Sequence, residues 1–373
     1  MIEPQNILLL TSRTGGGHIS LSEALRDRLE QQYTLEIVDP QPHFFHLHYR
    51  MLSRYALWLW SAEFRWSDTP RQALLTHRLF TPLVAGELKR LIERLQPVLI
   101  IATYPFVTYE VMEVLKSIKA HIPFVMLFAD PNSIHASWLT ERRASAVLAP
   151  TRETYERALA AGFDPERLHL VGWPVRAQFA RAAAQAERNE ILAGLGLDPT
   201  RFTVFLQGGG EGAAQFGQTI ERVLAIGLQV ILATGTNHSL QARFKSVKHL
   251  AALPFTKEIA PFMAAADVIM GKAGPNMLFE SVTLGKPFIV TAYIPGQEEA
   301  NLEFIRRHQL GWVALEPDQQ RTLLTGLSHD DGELQARAAT VATYRQWNAS
   351  ANEKIIPLLE SLVKRPETSS GLQ

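Results

Sequence analysis

Three short clusters in this 373-residue chain combine glycines with groups that can move protons or hold anions. The first, "TSRTGGGH" at 11–18, sets His18 directly behind Gly15, Gly16 and Gly17, just after the apolar run "NILLL". The second, "QGGGEGAA", carries Gly208, Gly209 and Gly210 behind "TVFLQ". The third reads Lys272, Gly274, Pro275, Asn276 and Glu280, and one apolar run later come Gln297 and Glu298. Glycines behind a strand let the backbone turn tightly and approach a ligand. The helix start that follows offers free N–H groups and a positive dipole end to phosphate.

The clusters exclude some chemistries. Neither glycine loop ends in the Lys-Ser/Thr of a Walker loop, so ATP hydrolysis is not expected. Gly15, Gly17 and Ser20 fill the places of the dinucleotide fingerprint, and Asp39 ends the next strand where a ribose-binding acid belongs. Against a dehydrogenase, His18 would crowd a pyrophosphate, and the second loop repeats the arrangement at Gly208, Gly210 and Ala213. Two nucleotide-type halves with one glycine loop each suggest a cleft between them.

In the third cluster the turn at Gly274–Asn276 leads into a helix whose first turn would face an anion, and Glu280 lies in its second turn, where a carboxylate can accept both hydroxyls of a ribose. Gln297 and Glu298 offer an amide and a carboxylate to a hexose, and Phe255 and Thr256, which open the block, are counted with the donor-binding set. Lys272 can neutralise a diphosphate or simply sit solvated at a strand end. Anion, ribose and sugar contacts together describe a nucleotide-sugar pocket.

The elements that must position these groups are an alternation of short apolar runs and segments of helical period, the pattern of parallel sheets covered by helices. Strands are expected at "NILLL", "LEIVD", "VLIIAT", "FVMLFAD" and "SAVLAP", then again at "TVFLQ", "QVILATG", "DVIMGK", "PFIVTAY" and "GWVALE". Between the first two, Leu21, Leu25 and Leu29 share one helix face. The fold class is α/β with two Rossmann-like domains. Their expected bounds are 1–173 and 174–345, with a helix over 346–366 returning to the first domain and a disordered tail at 367–373.

The interval 43–94 breaks the rhythm. Eight aromatic residues, among them Trp58 and Trp60, crowd into 23 positions, and eight basic residues, including Arg50 and Arg54, outnumber four acidic ones. An aromatic, basic surface suits anionic headgroups, and a helical cap with its Trp residues packed inward has the same signature. Over the whole chain charge balances: Lys plus Arg and Asp plus Glu are each 37, so no global field draws the chain to nucleic acid. Cysteine is absent, which removes disulfides, thiol nucleophiles and Cys-ligated zinc, and no apolar run approaches the length of a membrane-spanning helix. The N-terminus lacks a signal peptide's basic start and cleavage site, so "NILLL" reads as a buried strand.

Five stretches, "TGGGH", "FADPNSIHASW", "GWPVR", "QGGGEG" and "KAGPNMLFES…YIPGQEEAN", occur in this order over nearly the whole chain. In them the chain resembles the family 28 glycosyltransferases of GT-B fold, and within them the monogalactosyldiacylglycerol synthases and diacylglycerol glucosyltransferases. It departs from them at Asn276-Met277, where the family commonly has Gly-Thr, and at Ala129-Asp130, where it has Thr-Asp. The resemblance implies His18 as general base, His135 and Trp138 on the acceptor side, and Asp130 either orienting His18 or capping its strand. It implies an inverting enzyme that moves a hexose, galactose or glucose, from a UDP-sugar to diacylglycerol without a catalytic metal or other cofactor. The expected place is the cytoplasmic face of a membrane, with the 43–94 segment docked on lipid. A polyprenyl-lipid or soluble acceptor, or a non-catalytic nucleotide-sugar or membrane-binding protein, are the alternative readings.

Overall fold

The structure, a computed structural model, describes residues 5–14, 16–207 and 216–364, and not the side chains at 53, 54 and 216. Gly15, Gly209 and Gly210, the Arg54 side chain and the 367–373 tail therefore lie outside the described residues. The chain forms two units, Met1–Pro174 with Asn348–Gln373, and Val175–Trp347.

In the first unit, six parallel strands are β1 (Asn6–Leu10), β2 (Thr34–Val38), β3 (Leu99–Ala102), β4 (Phe124–Leu127), β5 (Ala146–Ala149) and β6 (Leu168–Leu170), in the order β2-β1-β3-β4-β5-β6. Strands β3, β4 and β5 are buried at every residue, which is why they read as unbroken apolar runs. Helix α1 (Gly17–Leu29) buries Leu21, Leu25 and Leu29 as expected. The order reverses direction between β1 and β3, and at such a switch point the loops beyond the carboxyl ends of the strands part to leave a crevice.

The 43–94 segment is three helices, α2 (His43–Tyr55), α3 (Leu57–Ser67) and α4 (Pro70–Leu95). Helix α4 starts at a Thr69 cap whose side chain accepts from the Gln72 N–H. It buries Ala73, His77, Phe80, Val84, Leu88 and Leu91 at three- and four-residue spacing, beside α5 (Thr108–Ile118). A short helix, α6 (Ala136–Leu139), follows β4.

The second unit holds β7 (Thr203–Gln207), β8 (Gln229–Ala233), β9 (Leu250–Leu253), β10 (Val268–Lys272), β11 (Phe288–Ala292) and β12 (Gly311–Val313), all parallel, in the order β12-β11-β10-β7-β8-β9. This is the strand order of dinucleotide-binding Rossmann domains, with its switch point between β7 and β10. Gly271 near the end of β10 admits no side chain, because a Cβ there would stand 2.6 Å from the Gln207 carbonyl oxygen and 2.7 Å from the Met277 sulfur.

The expected helix over 346–366 is corrected to two pieces. One helix runs Asp331–Asn352, a second Ile355–Lys364, with a break between them. Asn348 and Asn352 near the end of the first both donate to the Trp173 carbonyl, and the Trp173 N–H donates to Asn348 Oδ1. Gly172, at φ +72°, lies against them, where a Cβ would meet Asn348 O at 2.8 Å. The Gly-Trp of "GWPVR" is thus the socket for the returning chain.

Candidate active site

At the first switch point, Gly16 adopts φ +75° at the N-cap of α1, and its carbonyl accepts the Ser20 N–H. The turn carries His18 to the end of β3. There His18 Nδ1–H donates to the Thr103 carbonyl at 2.7 Å, and the ring stands edge-on to Tyr104 with centroids 4.9 Å apart. A carbonyl can only accept, so the proton is on Nδ1 and Nε2 carries the lone pair. The Thr103 hydroxyl reaches the His18 carbonyl, the Leu10 carbonyl and the Ser22 and Thr11 hydroxyls, fastening β1, β3 and α1 together around the histidine. Thr103, absent from the sequence-predicted set, is what orients His18.

Loss of hydration draws the His18 pKa from 6.5 down to about 4, against the raising effect of the Thr103 bond. The ring therefore stays a neutral base well below pH 6.5. If His18 is the base, kcat/KM for the free enzyme should hold as pH falls through 6 and drop only towards 4; a steep loss already at 6.5 would contradict this. The same shift acts on folding. Between about pH 6.5 and 4 the unfolded chain takes up a proton that folded His18 refuses, so this group lowers stability as pH falls through that window.

Asp39 proves not to be a free ribose-binding acid. One oxygen accepts the Arg13 N–H at 2.6 Å and faces His46 Nε2 of α2 at 3.2 Å, and the other accepts the Gln41 N–H at 3.0 Å. With its carboxylate engaged in holding the first glycine loop and α2, the dinucleotide reading falls.

On the β4 side, Asp130 does not orient His18. Its carboxyl faces the Trp138 indole N–H and the His135 backbone N–H, and burial outweighs both, pushing its pKa up to about 7. Two acceptor-side expectations need correction here. Trp138 is 1% exposed and packs edge-on against Phe128, a core residue rather than a lipid contact. His135 Nδ1 accepts the Ser137 N–H, so Nε2–H donates to the Phe64 carbonyl of α3 at 3.2 Å, and Asp68 takes the Ala136 N–H at 2.7 Å. His135 clamps the β4 loop to α3, and burial draws its pKa down.

In the second unit, Gly274 caps the helix Pro275–Thr283, with Pro275 in the first position and Asn276 in the first turn. Glu280 in its second turn pairs with Arg176 at 2.8 Å. Lys272, at the end of β10, pairs with Glu298. The other Glu298 oxygen accepts the Ile294 N–H at 2.9 Å, and the side chain is 5% exposed. Glu298 thus braces the 294–298 turn and Lys272. A buried oxygen of Gln297 meets no partner among the described residues. Phe255 is exposed beyond β9, and the neighbouring Thr256 hydroxyl accepts the Glu258 N–H. No group of three His, Cys, Asp or Glu side chains among the described residues is placed to hold a metal ion.

The 43–94 helices use their aromatic residues in both directions. Trp60 turns onto Tyr49 with centroids 5.0 Å apart, and Phe64 onto His135 at 4.5 Å. Outward, Phe44, Leu47, Met51 and Tyr55 form one stripe of α2, and Leu75, Leu79 and Leu83 one stripe of α4, with Trp58, 75% exposed, and Trp66 on α3. Arg50 lies on α2 within this region. No helix among the described residues is long and apolar enough to cross a membrane.

Two Rossmann-type sheets, each with helix starts at its switch point, occur together in solved GT-B glycosyltransferases. MurG of Acinetobacter baumannii superposes with TM-score 0.60 at 14% identity, covering 96% of this chain and all of that one. TcCGT1 in complex with UDP gives 0.65 at 15%, covering 97% of this chain and 100% of the other. The protein has the GT-B fold of glycosyltransferases.

Sequence comparison goes further. The family model for monogalactosyldiacylglycerol (MGDG) synthase matches residues 21–175, and that for the glycosyltransferase family 28 C-terminal domain matches 203–343. A probable monogalactosyldiacylglycerol synthase 2 of rice, Oryza sativa subsp. japonica, is 30% identical over 344 residues, 84% of this chain and 71% of the relative. The monogalactosyldiacylglycerol synthase of Spinacia oleracea is 27% identical over 391 residues, 97% and 73% of the two chains. The chain belongs to the monogalactosyldiacylglycerol synthase family of family 28 glycosyltransferases.

Proposed function

We propose that the protein is an inverting hexosyltransferase that moves galactose or glucose from a UDP-sugar to the free hydroxyl of 1,2-diacylglycerol at a membrane surface. The observation that carries the reading is the His18 geometry: a neutral imidazole, its Nδ1–H fixed by a carbonyl, its Nε2 lone pair available at a switch-point crevice. Such a nitrogen can take the acceptor's proton as the oxygen attacks the anomeric carbon. A bound diphosphate would raise its basicity by its negative charge. Attack opposite the departing UDP turns an α-linked donor into a β-glycoside.

In this reading the second unit holds the donor. The helix start at Gly274, Pro275 and Asn276, with Lys272, meets the diphosphate, Glu280 the ribose, and Gln297, with its unpartnered buried oxygen, the hexose. Glu298 acts by holding Lys272 and the turn. Leaving-group charge is met by these groups without a metal. The diacylglycerol acceptor is supported by the names of the rice and spinach relatives.

The test is UDP release from UDP-galactose and UDP-glucose, with and without diacylglycerol in mixed micelles. Release that depends on diacylglycerol is expected with at least one donor, and none with either would overturn the reading. The outward face of α2 to α4 would dock on anionic lipid on the cytoplasmic side. Trp58→Ala with Trp66→Ala should cut vesicle co-sedimentation by about tenfold, from the apolar area withheld from the interface. Neutralising Arg50, Arg54 and Arg65 should weaken binding to anionic vesicles only; equal wild-type binding to neutral and anionic vesicles would count against docking by charge.

A further inference from the structure

One hydrogen bond does not fix a ring. The bond from Nδ1–H to the Thr103 carbonyl sets the tautomer of His18 and the direction of one nitrogen, and leaves the imidazole free to swing about that bond. The residue after Thr103 closes this freedom. The Tyr104 ring stands at 77° to the imidazole with centroids 4.9 Å apart, an edge-to-face contact. Tyr104 is itself held from two sides. Its ring packs on Phe106 with centroids 5.8 Å apart, and Phe106 packs on Phe80 of α4 at 6.2 Å and on His77 at 5.4 Å. Its hydroxyl is hydrogen-bonded to the Gln41 side chain, and the Gln41 backbone N–H donates to Asp39 at 3.0 Å. Burial raises the Tyr104 pKa, and the charges of Asp39 and Glu110 and the nearby Tyr49 add to this, so the group stays an uncharged phenol.

We propose that Tyr104 is a positioning residue for the base: its ring closes one side of the His18 imidazole against rotation and water, and Gln41 fixes that ring in place. The inference rests on the reading of His18 as the general base. Tyr104 acts through His18 and not on the reacting atoms. Proton transfer at Nε2 needs the lone pair aligned with the acceptor hydroxyl, and a ring wall anchored at both ends restricts that alignment. The wall also sets the charge state. Loss of hydration is the main influence on His18, with the Thr103 carbonyl opposing it, and the Tyr104 ring withholds part of that hydration. A carboxylate in the same place would stabilise the imidazolium and hold the proton. A neutral phenol keeps the base free.

The test compares Tyr104→Phe, which keeps the wall and removes its anchor, with Tyr104→Ala, which removes both. The titration of His18 is read by NMR on ring-labelled histidine, its resonance assigned by loss in His18→Ala. In Tyr104→Ala the midpoint should rise from about 4 towards 6.5, and the acid limb of kcat/KM should move up with it, by about one pH unit or more. At pH 8, where the ring is neutral in every variant, kcat should still fall by about tenfold, which reports alignment alone. Tyr104→Phe should keep the wild-type midpoint and lose only a few-fold in kcat. Gln41→Met should match it, and the two together should cost no more than either, since both cut one link. UDP affinity should not change. Tyr104→Leu, which keeps an apolar side chain in the core without a ring, is the second variant if alanine unfolds the unit, and should move both readings in the same direction. A His18 midpoint unmoved in Tyr104→Ala or Tyr104→Leu overturns the positioning role. Turnover that survives in His18→Ala overturns the base reading instead, whatever the titration shows.

Discussion

His18→Ala is expected to lower kcat for hexose transfer by about a thousandfold, within the range for removal of a positioned general base, and to leave UDP affinity unchanged. The size follows from how completely the fold commits this ring. Its Nδ1–H is spent on the Thr103 carbonyl, so no neighbouring group can substitute at Nε2 without the same anchor. The groups that the proposed reading gives to the donor belong to the second unit and do not depend on His18 for their own partners. Turnover with and without diacylglycerol, with UDP titration by calorimetry, separates the two effects. Turnover within a few-fold of wild type would remove His18 from the chemistry.

The second large effect is on stability. His77 of α4 and Glu110 of α5 are fully buried, joined at 2.8 Å, and His77 Nε2–H donates to the Ser137 carbonyl of α6 at 3.0 Å. Whichever of the two holds the shared proton, the pair fastens the 43–94 helices to the β4 loop. His77→Leu leaves a buried carboxyl group without its partner, and breaking such a pair costs about 3–5 kcal/mol. For a unit of this size Tm should fall by roughly 10 °C. Adding Glu110→Leu should recover more than half of the loss, because no polar group then remains to be satisfied. A single variant as stable as wild type would show that the pair carries little of the packing between α4 and α5.

Both effects depend on neighbours that the sequence did not reveal. The strands were legible where both faces are covered, since β3, β4 and β5 read as unbroken apolar runs. The two strands not expected, β6 with its central His169 and the alanine-containing β9, are short edge strands, where one side of the pairing is open and sequence need not be uniformly apolar. His18 was legible from its position behind three glycines. Its orienting group was not, because Thr103 lies 85 residues away and meets it only since β3, and not β2, flanks β1 on that side. Asp39 shows the converse. Its place at the end of β2 was legible, but its partners Arg13 and His46 come from a loop and a helix whose directions no periodicity specifies. In the 43–94 helices composition gave the aromatic and basic character, while the split between inward Trp60 and outward Trp58 came only from the packing on Tyr49.

The most direct measurement on the central claim is the anomeric configuration of the glycolipid formed from an α-linked UDP-hexose and diacylglycerol, read by proton NMR from the coupling of the anomeric proton. A base at His18 assisting one in-line displacement predicts a β-glycoside and no α product. An α-glycoside would require a second displacement or a front-face path, and would contradict the role assigned to His18.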